Sequence, residues 1–486
     1  MWGGRAGFAI AAALVANGVI TIYSPISKAA DFGDNCCANL EERVAELEAT
    51  TVRRGNRKVS IVLSGWLIKM GAWWDDGREG GLYWGDGDTT LSSHLQISGT
   101  AQVAQGWSTG YTIALETPGK SAAAGIIENQ FNDDAWVWSP ASLNTDLSYL
   151  WIKSENFGTI NWGQLNQATD NVGLVPDLSG TLLESDAVLF NGSGMFVRPR
   201  GVKNATDLAT DFAWLRVVTC LGGAGVGADC NGYPGNAFRY DSPTFLGFNL
   251  SSSYGEDDFW DVAVRYAADW GNLKVTAAYG FASMTDEGCN AAGCTNIPFL
   301  GGGGFPLQGF RKDAEVHQLG ASALHIPSGI WIYGYYQHET NEGTKFIGPA
   351  SDANDSDVWF IKTGIRRKWN PFGATVIWGE GGQYLNQFTG ICGTPNRNPT
   401  CVASINTAPF DALGNPTIAL ANVTGTTVNR WGAAIVQEID AAAMHLFVRW
   451  QETNLDLNAK LVSDGQNAKT AFENLNIWVA GGVIFF

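Results

Sequence analysis

Cut at its tightest turns, the chain falls into pairs of segments, each roughly ten residues long, whose apolar and polar side chains alternate. Seven such pairs can be read: 92–104 with 107–116, 147–154 with 158–165, 236–241 with 244–252, 257–269 with 272–283, 315–325 with 330–340, 358–369 with 372–384, and 427–438 with 441–452. One more strand begins near Lys58 and another fills 473–486, which makes sixteen. Short turns lie on one side and long Gly/Asp-rich loops on the other. This pattern predicts an all-β fold, a 16-stranded antiparallel transmembrane β-barrel over residues 58–486.

In 257–270, Trp260, Val262, Val264, Tyr266, Ala268 and Trp270 take one parity, and Asp261, Ala263, Arg265 and Asp269 the other. Leu95, Ile97, Ala101 and Val103 alternate in the same way with His94, Gln96, Ser98, Thr100 and Gln102, as do Met444, Leu446, Val448 and Trp450 with His445, Arg449 and Gln451. A soluble sandwich with its apolar face buried produces the same alternation. The aromatics separate the two: Trp260 and Trp270, or Trp431 and Trp450, sit near strand ends on the apolar parity, as interfacial girdles do. No internal run of about 18 uncharged apolar residues offers a spanning helix, so insertion in a membrane requires a closed sheet.

The start of the chain reads as an export signal over 1–29. Arg5 precedes an apolar run, Ala6–Tyr23, and Ser27-Lys28-Ala29 is a small-residue cleavage site, with Ala30 as the alternative. From Asp31 to about Arg57, Leu40, Val44 and Leu47 follow helical spacing among Glu41, Glu42, Arg43, Glu46 and Glu48. A short periplasmic helix over 31–57 is expected, either frayed or paired between copies as a coiled coil. Six cysteines pair as near neighbours inside long loops, Cys220 with Cys230, Cys289 with Cys294, and Cys392 with Cys401. Disulfides closing small loops suit an oxidising compartment. For Cys289 and Cys294 metal binding is the other reading, though no His or second CxxC lies nearby. Cys36 and Cys37 are adjacent, and their partners cannot be read.

Three motifs in order resemble a Gram-negative general porin of the alphaproteobacterial kind, and the resemblance covers nearly all of the chain after 1–29. Tyr240-Asp241-Ser242-Pro243-Thr244-Phe245-Leu246-Gly247-Phe248 is similar to the porin hairpin in which a Ser-Pro turn precedes an aromatic and Gly strand. Phe157-Gly158-Thr159 with Trp162-Gly163 resembles the strand before the porin constriction loop, with Gln164 where that motif usually carries Arg. Trp478, Ala480, Gly482, Ile484 and Phe486 at alternate positions resemble the terminal signal read by the barrel-assembly machinery, with Trp478, Ile484 and Phe486 as its bulky residues. The resemblance implies an outer-membrane homotrimer in contact with lipid and lipopolysaccharide, each barrel a separate pore for small hydrophilic solutes. It also implies a third loop folded inward, placed by the strand count at 166–235.

Selectivity then depends on fixed charge at the narrowest point. Lumen parity puts Arg265, Lys274, Lys362, Arg366, Arg430 and Arg449 on the wall, while the long loop carries Asp170, Asp177, Glu184, Asp186, Asp207 and Asp211. Removal of 1–29 takes away Arg5 and Lys28 and no acid, leaving 28 basic against 47 acidic residues, a net −19. External acidic groups such as Asp75-Asp76, Asp133-Asp134 and Glu256-Asp257-Asp258 favour cations, with a strength that falls as salt rises. A mild cation preference is expected.

Catalytic patterns and nucleic-acid binding are disfavoured, and no cofactor is expected. The five His show no H-x-H or HExxH spacing, no Ser lies in a G-x-S-x-G elbow, and Gly301–Gly304 lacks the Lys and helix of a phosphate loop. The acidic balance opposes a polyanion. Two other functions fit a barrel: a sugar-type specific channel, which needs aromatics along the lumen, and a surface adhesin that binds through its long loops.

Overall fold

The structure, a computed structural model, describes residues 59–85, 93–117, 143–188, 234–256, 259–285, 313–341, 355–387, 417–461 and 471–486, with shorter pieces between. The export signal, the 31–57 helix, Asp207, Asp211, Cys289 and Cys294 lie outside these residues, as do the side chains of Cys392 and Cys401.

Among the described residues nineteen strands form one antiparallel sheet, and sixteen of them close into a barrel. The ring runs through β1 (Ser60–Asp75), β3 (Ser93–Ala104), β4 (Trp107–Thr117), β5 (Asn144–Ser154), β6 (Gly158–Leu165), β7 (Gly235–Asp241), β8 (Phe248–Gly255) and β9 (Trp260–Trp270). It continues through β10 (Leu273–Thr285), β11 (Asp313–His325), β12 (Ile330–Asn341), β13 (Asp355–Asn370), β14 (Gly373–Leu385), β17 (Thr417–Ile439), β18 (Met444–Leu461) and β19 (Leu475–Phe485). β19 returns to β1 in the register Trp66↔Phe485 to Asp75↔Asn476. Closure leaves no open edge, the condition for a sheet in hydrocarbon.

The predicted hairpins recur with shifted ends. Gly271 turns β9 into β10 at φ 68°, and Gly329 turns β11 into β12 at φ 73°, where a Cβ would meet Arg366 O at 2.0 Å. At the Ser-Pro motif the second strand starts at Phe248, not at 244. Pro243 has no N–H to give a ladder, so the chain closes a wider loop through Leu246 and Gly247, both at positive φ. Three strands escaped the sequence reading. β2 (Gly80–Gly85) pairs the upper half of β1, and β15 (Ile391–Cys392) with β16 (Cys401–Thr407) forms a hairpin beside β17. Cys392 and Cys401 therefore occupy strands, opposite each other in register, where a plain loop was expected. β17 is 23 residues long, against the roughly 9–11 that cross a membrane, so its first part stands beyond the rim with β16 and β18.

The apolar parity faces outward. Leu67, Trp73, Phe238, Trp260, Val262, Trp270, Ile332, Ile361, Trp369, Phe372, Trp431, Ile435, Leu446, Val448, Trp478 and Phe486 are all exposed. So continuous a band of apolar surface needs an apolar solvent. Phe157, Phe245, Trp270 and Phe372 ring the short-turn end, and Trp73, Trp84, Trp260 and Trp478 lie toward the long loops. No helix among the described residues is long and apolar enough to cross a membrane.

Candidate functional site

The residues after β6 lie against side chains of the inner parity, strand after strand. At the start, Arg239 NH1 donates to the carbonyls of Asn166 (3.1 Å) and Gln167 (3.3 Å), while its Nε and NH2 hold Asp241 Oδ1. Arg265 NH2 donates to Ala168 O, and its NH1 to Ser251 Oγ at 2.9 Å. Asp261 Oδ2 accepts both the N–H and the hydroxyl of Thr169, at 2.6 and 2.7 Å, while its Oδ1 accepts from Ser253. Thr276 then binds Pro176 O, and Tyr333 OH binds Gly173 O at 2.8 Å. Here the two backbones nearly touch: a Cβ on Gly320 would sit 1.8 Å from Gly173 O.

The next stretch encloses charge. Lys362 Nζ donates to Asp177 Oδ2 (3.2 Å), Ser179 Oγ (3.2 Å), Thr181 Oγ1 (2.7 Å), Thr181 O (3.1 Å) and Ser185 O (2.8 Å), between the rings of Trp331 and Trp378. Arg430 NH2 reaches Glu380 Oε1 at 2.7 Å and Ser185 Oγ at 2.9 Å, and Ser185 in turn donates to Glu380 Oε2. Tyr384 OH donates to Ala187 O, and Glu184 meets His445 at 2.6 Å. Further on, Cys220 and Cys230 form the expected disulfide; Cys230 N–H and Ala228 O bind Gln337 and Tyr335 of β12. Last, Arg198 spans the mouth, its Nε on Asp76 and its NH2 on Glu79, while its carbonyl accepts from Glu473 N.

Apolar packing backs these bonds. One buried cluster joins Leu174, Leu182, Leu183, Val188, Met195 and Val197 to Trp66, Trp74, Trp331, Tyr333, Tyr335, Phe360, Trp378 and Tyr384 of the wall. Most Trp do take the lipid parity, but these four wall Trp point inward beneath the segment.

Of the six basic residues singled out, Arg265, Lys362 and Arg430 thus bind the segment. Arg366 instead forms a bidentate pair with Glu438, Nε at 2.7 Å and NH2 at 2.8 Å. Lys274 is exposed beside the short turn, opposite Asp269, and Arg449 is buried on the inner face. Among the acids, Asp177 and Glu184 are paired as above, and Asp186 Oδ1 caps Val188 N at 2.6 Å. Asp170 accepts from Asn171 and lies near Asp229 and Asp146; burial first, then those two charges, push its carboxyl well above the ordinary range. Arg239, Asp261, Glu380 and the three tyrosines were missed. Parity alone marks Arg239 and Asp261 as inward, whereas Glu380 sits in Gly379-Glu380-Gly381-Gly382, which carries no alternation to read.

A closed barrel with an apolar exterior, with residues 166–188 bonded to its inner face, is an outer-membrane channel protein in form. The Gram-negative porin model matches residues 68–389, and the chain belongs to that family. No curated protein matches it. Among solved structures it is similar to an anion-selective porin from Comamonas acidovorans, at 14% identity and TM-score 0.48, over 88% of this chain and 100% of that one. It is also similar to OmpT of Vibrio cholerae (10% identity, TM-score 0.44, 89% and 99% coverage) and to Salmonella typhi OmpF in complex with daunomycin (13%, 0.43, 88% and 98%). The protein is a porin of the outer membrane.

Proposed function

We propose that this porin is a water-filled, homotrimeric channel through which small hydrophilic solutes and ions diffuse passively, with residues 166–235 setting its width. The observation that carries the reading is the fixing of 166–188 to the inner faces of strands from β7 to β17 by Arg239, Asp261, Arg265, Lys362 and Arg430. A wall-to-wall segment in a wide barrel removes cross-section from the lumen.

A mild cation preference accompanies it. Lys362 and Arg430 spend their charge on Asp177 and Glu380, so the wall offers a permeating anion less positive field than its formal count suggests. The loop acids of the vestibule remain to attract cations. A sugar-type channel is disfavoured by the placing of the inward aromatics, since Tyr333, Tyr335, Trp331 and Trp378 pack beneath the segment instead of standing along a free path.

Planar-bilayer recording tests this. Ohmic conductance closing in three equal steps, with a reversal potential on the cation side in a salt gradient, is expected. Silence in the bilayer, or block by one sugar at low concentration, would replace the proposal with the adhesin or the specific channel.

A further inference from the structure

Three inner-face side chains from consecutive ring strands converge at the long-loop end of the wall, away from the bonds that hold 166–188. His94 of β3 and Glu116 of β4 are register partners, so their side chains share a face at the shortest cross-strand spacing. Asp146 reaches them from β5 by a different device. The ladder there steps from Ala114↔Leu147 to Leu115↔Thr145, leaving Asp146 as the extra residue of a bulge. Bulges re-aim a side chain, and this one brings a third ligand atom to a pair that a regular ladder would leave as two.

The distances suit a metal ion. His94 Nδ1 lies 3.3 Å from Glu116 Oε1 and 4.0 Å from Asp146 Oδ2, and one ligand atom from each residue lies within 4.8 Å of the others. With metal–ligand bonds of about 2.0–2.2 Å, two ligands at a tetrahedral angle stand about 3.4 Å apart. Opening to 4.0 Å is met by a wider angle. The three side chains are 2%, 0% and 1% exposed, and Trp66 stacks on the imidazole at 4.5 Å with a 10° tilt, which fixes the ring plane.

We propose that His94, Glu116 and Asp146 bind one divalent transition-metal ion in the barrel wall. One imidazole and two carboxylates without thiolate select zinc, cobalt, nickel or copper over calcium and magnesium, which take oxygen ligands alone. Bound there, the ion ties β3, β4 and β5 together and cancels two negative charges at the channel mouth. The site stands on these residues whether or not the channel is passive.

The test uses the full protein, purified in detergent, stripped with chelator and titrated with Zn2+, Co2+ or Cu2+. One ion per chain is expected, lost in His94→Ala and weakened in Glu116→Gln by more than roughly 100-fold, the upper end for loss of an outer-shell partner. Lys368→Ala, whose exposed pair with Asp440 lies at the opposite, short-turn end of the barrel, keeps the stoichiometry. Should the ligand variants fail to fold, the wild-type Cu2+ electron paramagnetic resonance spectrum decides, with coupling to a single imidazole nitrogen expected. Equal metal uptake by wild type and His94→Ala, or a copper spectrum without nitrogen coupling, overturns the site and leaves a buried His–carboxylate ion cluster. Conductance recorded in chelator keeps this outcome separate from the channel reading.

Discussion

On β7–β10 the inner wall meets residues 166–176 through hydrogen bonds to Arg239, Asp261, Arg265 and Thr276. On β13 and β17 it meets 177–188 through Lys362 and Arg430, two enclosed cations set against the rings of Trp331, Trp378 and Phe360. The first set of side chains would be equally content facing water. The second would not: withdraw the segment, and aromatic rings and a Lys362 stripped of Asp177 face an aqueous lumen. The segment is therefore held by polar bonds along one half of the barrel and is a piece of the hydrophobic core along the other.

Lys362→Met gives the sharpest break in this contrast. It leaves Asp177 buried without its counter-charge and should cost about 3–5 kcal/mol, read as a lower denaturant midpoint with noisier open-channel current. An unchanged midpoint would mean that Asp177 reaches water and that the two halves are alike. Next, Val448→Arg, on the lipid face, should cost about 2–4 kcal/mol in folding yet leave the conductance of inserted channels unaltered, separating outer-wall from inner-wall effects. On the polar half, Asp261→Asn keeps the shape and weakens the bonds to Thr169 and Ser253. A loss of about 1–3 kcal/mol is expected, with raised current noise confined to the 166–176 end. A cost equal to that of Lys362→Met would erase the distinction. Smallest of all, Lys368→Ala breaks an exposed pair with Asp440 and should move the midpoint by less than about 1 kcal/mol.

Sixteen strands and their parity were legible because lipid outside and water inside impose a period of two. That same rule hid the aromatic half. In β12, Ile330, Trp331, Ile332, Tyr333, Tyr335 and Tyr336 run nearly unbroken, and β1 carries Trp66, Leu67, Ile68, Met70, Trp73 and Trp74. A wall strand covered on its inner face by a loop is buried on one side and lipid-bathed on the other, so polarity no longer alternates. Lys362 and Arg430 take the inner parity, but parity is silent on what a charge touches once inside. The His94 cluster was illegible for another reason: its members are distant in sequence, and a one-residue bulge brings Asp146 to the others.

The seam between the two ends of the sheet sets the order of events in manufacture. Phe486 N–H donates to Gly65 O at 3.1 Å and Gly65 N–H to Phe486 O at 2.8 Å, so these two residues fasten the clasp of the bracelet. Until β19 meets β1, every intermediate carries two raw edges, each hungry for a neighbour and exposed to pairing with the wrong chain. Such a product has no half-built state worth keeping.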